Sequence, residues 1–359
     1  MTTLSAEFVT EIVRGIEAPD ESWREVARQR LDTLTKPLGS LGRLEDIAAQ
    51  MVAIRHEHLI LPMSKAVYVF AADHGITAEG VSAYPSAVTY QMVLNFLRGG
   101  AAVNVLARLH GVALHVVDVG VDADFDGVEG LLHHKVCKGT ANMLREAAMS
   151  DDELEQAVRV GVELGERAAA AGCTLLAVGE MGIGNTTAAS AITCALLGCS
   201  AALATGRGTG LDPAAYAHKV AVIEAILAKH FAADCSREPI DIVRCVGGLE
   251  IAAMAGMMLA AARSHIAIVV DGFISTAAAV IAAGLEPAVR GYLIAGHRSE
   301  EPGHKLLLDH LGLAPVLKLE MRLGEGSGAV LAMPVIESAV ALYSQMMTFA
   351  SAGVSEASA

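Results

Sequence analysis

Through the first sixty residues apolar side chains recur every three or four positions with charges between them. That spacing predicts three amphipathic helices, in SAEFVTEIVRGIEA, SWREVARQRLDTLTK and LGRLEDIAAQMVAIRHEH. Beyond Pro62 the pattern changes. Short apolar runs at 66–72 (AVYVFAA), 113–119 (ALHVVDV), 174–178 (TLLAV), 265–270 (HIAIVV) and 291–295 (GYLIA) read as strands. They do not alternate apolar with polar, as expected of parallel strands buried on both faces. Between them lie helical stretches: VTYQMVLNFLRGGAAVNVLARLH, DDELEQAVRVGVELGERAAAAG and PAAYAHKVAVIEAILAKHF. The alternation predicts a three-layer α/β fold, a Rossmann-like parallel sheet with helices on both faces and right-handed crossovers. The expected organisation is a large α/β domain over 62–328 and a smaller helical domain built from 1–61 and 329–359.

Two apolar stretches, 251–262 and 272–285, are bounded by charges and fall short of the roughly 20 residues a spanning helix needs. Buried helices are expected there, and no membrane association. With 26 basic and 40 acidic residues the formal charge is −14, and no Lys/Arg block occurs. Nucleic acid and anionic membranes are therefore poor partners, whereas a small anion can still bind at backbone N–H groups and helix N-termini. The six cysteines form no C-x-x-C pair and four of them sit in apolar or glycine-rich surroundings, which reads as reduced thiols. The first residues carry acids early and no apolar signal region, so the expected location is the cytoplasm.

In an open parallel sheet, ligands bind beyond the carboxyl ends of the strands. The distinctive clusters fall there. AVYVFAA runs into Asp73-His74-Gly75, TLLAV into GEMGIGNTT at 179–187, HIAIVV into DGFIST at 271–276, and GYLIA into GHRSEEPGH at 296–304. Two more glycine loops, GRGTG at 206–210 and LGEGSG at 323–328, also precede helical patterns. GEMGIGNTT has converging backbone amides, Asn and Thr donors and a helix to follow, all suited to an anion. An ordinary strand-to-helix turn is the plain alternative. It lacks the Walker A lysine and the dinucleotide G-x-G-x-x-G spacing.

His74, His297 and His304 invite a metal reading, but no H-E-x-x-H or paired acidic signature supports it. No G-x-S-x-G elbow is present either. Met254, Met257 and Met258 follow helical spacing and are expected in the core. Glu325 stands between Gly324 and Gly326, where a turn residue, a helix cap and a catalytic base are all admissible.

Taken together, KPLGSLGRLE at 36–45, ADHGITAEGVSAYPSAVTYQMV, GEMGIGNTT, GRGTGLD, DGFISTAAA, GHRSEEPGH and MRLGEGSGA resemble the nicotinate-nucleotide–dimethylbenzimidazole phosphoribosyltransferase family, in family order and across nearly the whole chain. The resemblance implies transfer of phosphoribose from nicotinate mononucleotide to 5,6-dimethylbenzimidazole, a homodimer, and neither cofactor nor metal. It implies that Glu325 is the general base. The donor site would comprise Glu180, Gly182, Gly208, Gly210, Lys219, Asp271 and Ser299, and the benzimidazole pocket Tyr84, Gln91, Met181 and Leu323. Glu180 or Asp271 would lend negative charge to an oxocarbenium-like transition state. Lys219 fits a phosphate cation or a solvated helix face equally well. For 36–45 a helix-entry turn is the default. Two rivals stay open: a related transferase acting on another aromatic base (adenine, benzimidazole or a phenol), and a nucleotide-binding protein without catalysis.

Overall fold

The computed structural model describes residues 6–56, 61–207, 210, 212–232 and 235–355. Six strands, β1 (Lys65–Ala72), β2 (Ala113–Gly120), β3 (Leu131–His133), β4 (Leu175–Met181), β5 (Ala267–Val270) and β6 (Leu293–Ala295), form one sheet in the order β3-β2-β1-β4-β5-β6. Every pairing is parallel. The expected α/β class and Rossmann-like sheet are what the chain forms. Strand order reverses between β1 and β4, which opens a crevice at their carboxyl ends.

Every residue of β1 after Lys65 is buried. Successive side chains of a strand point to opposite faces, so both faces are covered. Helix Leu249–Arg263 crosses β1, β2, β4 and β5 and in turn packs under Asp151–Ala170. All its residues but Arg263 are buried, and Phe273–Leu285 is nearly as enclosed. The two apolar stretches are thus core helices. Helix Ser327–Gln345 is long and apolar enough to cross a membrane by length and composition. Here it packs on β4, β5 and the helices Arg43–Arg55 and Ala102–His110.

Three local expectations differ from what is observed. The helix expected over 88–110 is two, Ala87–Leu97 and Ala102–His110, because Gly99 turns at φ 77° between them. β3 was not anticipated, since three residues with only Leu131 buried carry no periodic signal. The run GYLIA begins as a 3-10 helix, Pro287–Tyr292, and only its last three residues are strand.

The two ends of the chain meet. Arg30 Nε donates to the Tyr343 carbonyl at 2.9 Å and Thr35 N to that of Met347 at 3.0 Å. One continuous apolar core takes in residues from both terminal segments and from the sheet. In the 36–45 run, buried Lys36 sits 2.9 Å from Glu45 Oε1, which also accepts the Leu41 N–H at 3.0 Å. That pair closes the turn into Arg43–Arg55 and leaves Leu38 exposed at its tip.

Candidate active site

A cavity of about 400 Å³ lies at the carboxyl end of the sheet. Its polar wall begins where β4 ends. Glu180 lines it on the strand, followed by the turn through Gly182 and Gly184 into helix Asn185–Leu197. Asn185 and Thr186, the first two residues of that helix, line the cavity, so the positive end of its dipole lies at the wall. Asn185 Nδ2 donates to Glu180 Oε2. Lys219, on helix Pro213–His230, is 1% exposed and reaches the same place, its Nζ donating to Thr186 Oγ1 at 2.8 Å. A solvated-face role for Lys219 is therefore excluded. Burial pushes its pKa down to about 8, with Glu301 working the other way. A buried ammonium beside a helix N-terminus is a strong anion receptor.

Glu180 is held neutral. Burial pushes its pKa up to about 8, reinforced by the negative charges of Glu250, Asp271 and Glu325, while Asn185 opposes the rise. Asp271, at the end of β5, has both oxygens occupied: Oδ1 accepts the Ala329 N–H at 2.9 Å and Oδ2 that of Gly326 at 3.2 Å. Its pKa is raised by burial, against His297 and those N–H groups. Burial thus favours the neutral form of both carboxylates, and two backbone N–H groups engage Asp271. Glu180 keeps its proton below about pH 8, and Asp271 caps the helix Ser327–Gln345.

That cap shapes the loop carrying Glu325. Gly324, Glu325 and Gly326 adopt φ of 86°, 63° and 82° in succession. Left-handed conformation is routine for glycine and unfavourable for Glu. β4 supports the loop from below: a Cβ at Gly179 would stand 2.5 Å from the Glu325 carbonyl oxygen. The Glu325 side chain lines the cavity at 6% exposure. Its Oε2 takes only a long contact, 3.5 Å, from Val103 N. Burial raises its pKa, Val103 N–H opposes that, and Asp271 adds to it. Of the three readings open for Glu325, cap and solvated turn fall away, because Asp271 does the capping and the side chain is buried.

Ser299 lines the cavity on the loop after β6. Its N–H donates to His304 Nδ1 at 2.9 Å, so Nε2 carries the proton and donates to Thr276 Oγ1 at 3.0 Å. Burial, with His297 and Arg298, lowers the His304 pKa to about 3. His304 is thus a neutral strut with both nitrogens engaged. Among the described residues no three His, Cys, Asp or Glu side chains gather to hold a metal ion.

Tyr84, Met181 and Leu323 line the apolar wall, with Val81, Val88, Met92 and Ile183. Gln91 does not. Helix Ala87–Leu97 starts so that Val88 and Met92, one turn apart, face the cavity while Gln91 points to solvent. Of the four residues expected on the benzimidazole side, Gln91 is thus the one that the cavity lining leaves out, and its neighbour Met92 is in it. Gly182 lines the cavity, Gly210 is exposed and does not, and Gly208 lies outside the described residues. Sequence reading left Arg207, Arg322 and His297 out of the candidate site, although all three line the cavity and lie in motifs it singled out, and it offered Asn185 and Thr186 only as general anion donors. A cation beside an anion loop was the available signal for the two arginines.

Residues 16–354 match the family described as phosphoribosyltransferase. The fold and the anion receptor at its switch point are thus those of a phosphoribosyltransferase. Curated relatives from Geobacter sp. (strain M21) and Geotalea uraniireducens (strain Rf4), both named nicotinate-nucleotide–dimethylbenzimidazole phosphoribosyltransferase, are 49% and 50% identical over 352 and 349 residues, covering 97% of this chain and 99% of each relative. The crystal structure of CobT from Thermus thermophilus superposes with a TM-score of 0.89 at 46% identity, covering 94% of this chain and 100% of that one. The chain belongs to the nicotinate-nucleotide–dimethylbenzimidazole phosphoribosyltransferase family.

Proposed function

We propose that the protein moves the 5-phosphoribosyl group of nicotinate mononucleotide to 5,6-dimethylbenzimidazole, giving α-ribazole 5′-phosphate and nicotinate for the nucleotide loop of cobalamin. One observation carries the chemistry: a single cavity joins a buried lysine at a helix N-terminus to a poorly hydrogen-bonded, buried carboxylate, Glu325. The donor phosphate goes to Lys219 and the N-terminus of Asn185–Leu197, with Arg207 at the rim. The ribose lies along Glu180 and Ser299, where protonated Glu180 donates a hydrogen bond. The flat acceptor enters along Tyr84, Val88, Met92, Met181 and Leu323.

One ring nitrogen of the acceptor attacks C1′ as the C1′–N bond of the pyridinium breaks. The bonding pair stays on the departing ring, which leaves as neutral-nitrogen nicotinate and requires neither an acid nor a metal to expel it. Glu325 accepts the proton from the second acceptor nitrogen, so the product ring is neutral. Entry opposite the leaving group inverts C1′ from β to α. Its raised pKa makes Glu325 a better proton acceptor than an exposed carboxylate.

The experiment follows nicotinate release from nicotinate mononucleotide and dimethylbenzimidazole, with chelator, for wild type and Glu325→Gln. Equal rates would remove the base assignment, and loss of turnover with chelator would remove the metal-free leaving-group argument. Competing adenine and phenol in the same assay report acceptor choice. The family resemblance also supports a homodimer, and the free cysteines suit a cytoplasmic location. A solution mass equal to one chain, or recovery in a non-cytoplasmic fraction, would refute those two readings.

A further inference from the structure

The Asp73-His74-Gly75 run at the end of β1 has no part in the chemistry above. His74 and Glu250, the second residue of helix Leu249–Arg263, are nonetheless both sealed from solvent, with His74 Nε2 2.7 Å from Glu250 Oε1. Neither side chain lines the cavity. Glycine contacts fix where the imidazole lies. A Cβ at Gly182 would come 3.3 Å from its Nε2, and one at Gly248 would come 2.4 Å from its Cε1. Gly182 belongs to the loop that forms the polar wall, and Gly248 precedes the helix that carries Glu250. The ring is wedged between the Gly182 turn and Gly248, while the turn itself rests on the Ala72 carbonyl at the end of β1.

A buried ion pair adds little net stability over apolar residues of the same volume, so stability alone gives no reason for this one. Burial disfavours the His74 imidazolium, yet Glu250 and then Asp73 more than reverse that and favour it. Glu180 is on the far side of the same loop. The charged groups facing it are Glu250, Asp271 and Glu325, and Asn185 is its hydrogen-bond donor.

We propose that His74 and Glu250 are a positioning pair for phosphoribosyl transfer: held by Glu250, the His74 ring packs behind the turn through Gly182 and Gly184 and fixes its course along the cavity. The pair acts through the loop and touches no substrate. It rests on the reading that the donor ribose lies beside Glu180, and identifies what holds the turn that follows that group.

The test compares the full chain with Glu250→Gln, His74→Gln and the double variant. Three readouts are taken from pH 5 to 10: kcat and KM for nicotinate mononucleotide, calorimetric affinity for it, and thermal melting. Glu250→Gln takes the charged partner from the His74 ring, so donor affinity falls and donor KM rises. His74→Gln leaves Glu250 buried beside a neutral partner and lets the loop settle. Its kcat/KM falls about tenfold to a hundredfold, mostly through donor KM, and melting drops. The double variant regains melting but keeps the raised donor KM.

Unchanged donor KM and affinity in both single variants, or a double variant that regains melting and wild-type donor KM together, overturns the proposal. Should His74→Gln fail to fold, the other two variants decide. A wild type that binds nicotinate mononucleotide and releases no nicotinate would overturn the activity instead, while donor affinity would still decide the pair.

Discussion

The two walls of the cavity are built on opposite principles. The polar wall gathers Glu180, Asn185 and Asp271 from strand ends and a helix start and Lys219 from within helix Pro213–His230, each buried and tied to a neighbour. The apolar wall takes Tyr84 and Leu323 from turns, both more than half exposed, with Val88 and Met92 from one helix face. Binding a phosphate needs charges held in fixed positions out of water, and the sheet supplies that. Binding a flat ring needs area and a way in, which exposed turns supply. Glu325 sits where the walls meet, and its loop is held by Asp271 from the polar side.

Removing the group at the junction should do the most. Glu325→Gln is expected to lower kcat by about 10²–10⁴-fold, the usual worth of a general base, with nicotinate mononucleotide affinity by calorimetry little changed. On the polar wall, Lys219→Met should raise donor KM by roughly 10- to 100-fold, in keeping with a lost charge-assisted hydrogen bond. Its melting temperature should hold or rise, because a buried cation is gone. A simultaneous collapse of melting would mean that Lys219 is structural.

Next comes pH. Glu180 and Lys219 both titrate at about 8, so kcat/KM for the donor should fall above that value as Glu180 loses its proton and Lys219 its charge. Stability carries the same sign for Glu180. From the ordinary 4.5 up to about 8 the folded chain holds a proton that the unfolded chain releases. Stability therefore declines as pH rises through that window, and Glu180→Gln should flatten the decline in melting temperature against pH. The apolar wall should respond most weakly. Met92→Ala is expected to raise acceptor KM several-fold while leaving donor KM alone, and Gln91→Ala to change neither. An acceptor effect at Gln91 with none at Met92 would reverse the helix phase described above.

Sequence made the polar wall far more legible than the apolar one. Strands buried on both faces stand out as apolar runs, and the glycine loops that follow them mark the sheet's carboxyl edge; the family resemblance picked Glu180, Asp271, Ser299 and Glu325 out of those loops, and all four line the cavity. A helix beside a pocket gives no such mark. A shift of one residue rotates the facing side by about 100°, so Gln91, named through the family resemblance, is exposed while Met92 lines the cavity. Partnerships distant along the chain stayed invisible. Asp271 bonds to a residue 58 positions away and His74 to one 176 away. No local pattern encodes either, and the duty of Asp271 as a cap changes what its carboxylate can do.

The backbone of Glu325 has a consequence for how this protein can drift. A residue with φ of 63° pays about 1–2 kcal/mol for being anything but glycine. Glu325→Gly would shed that strain together with the base, so the inactive chain should melt no lower than Glu325→Gln. With Glu325 as the proposed base, every copy of the sequence that keeps turnover is expected to keep a defect, and selection for sturdiness alone would erase the carboxylate. Screens that rank variants by thermal tolerance should enrich glycine at 325, whereas growth that depends on the product should purge it.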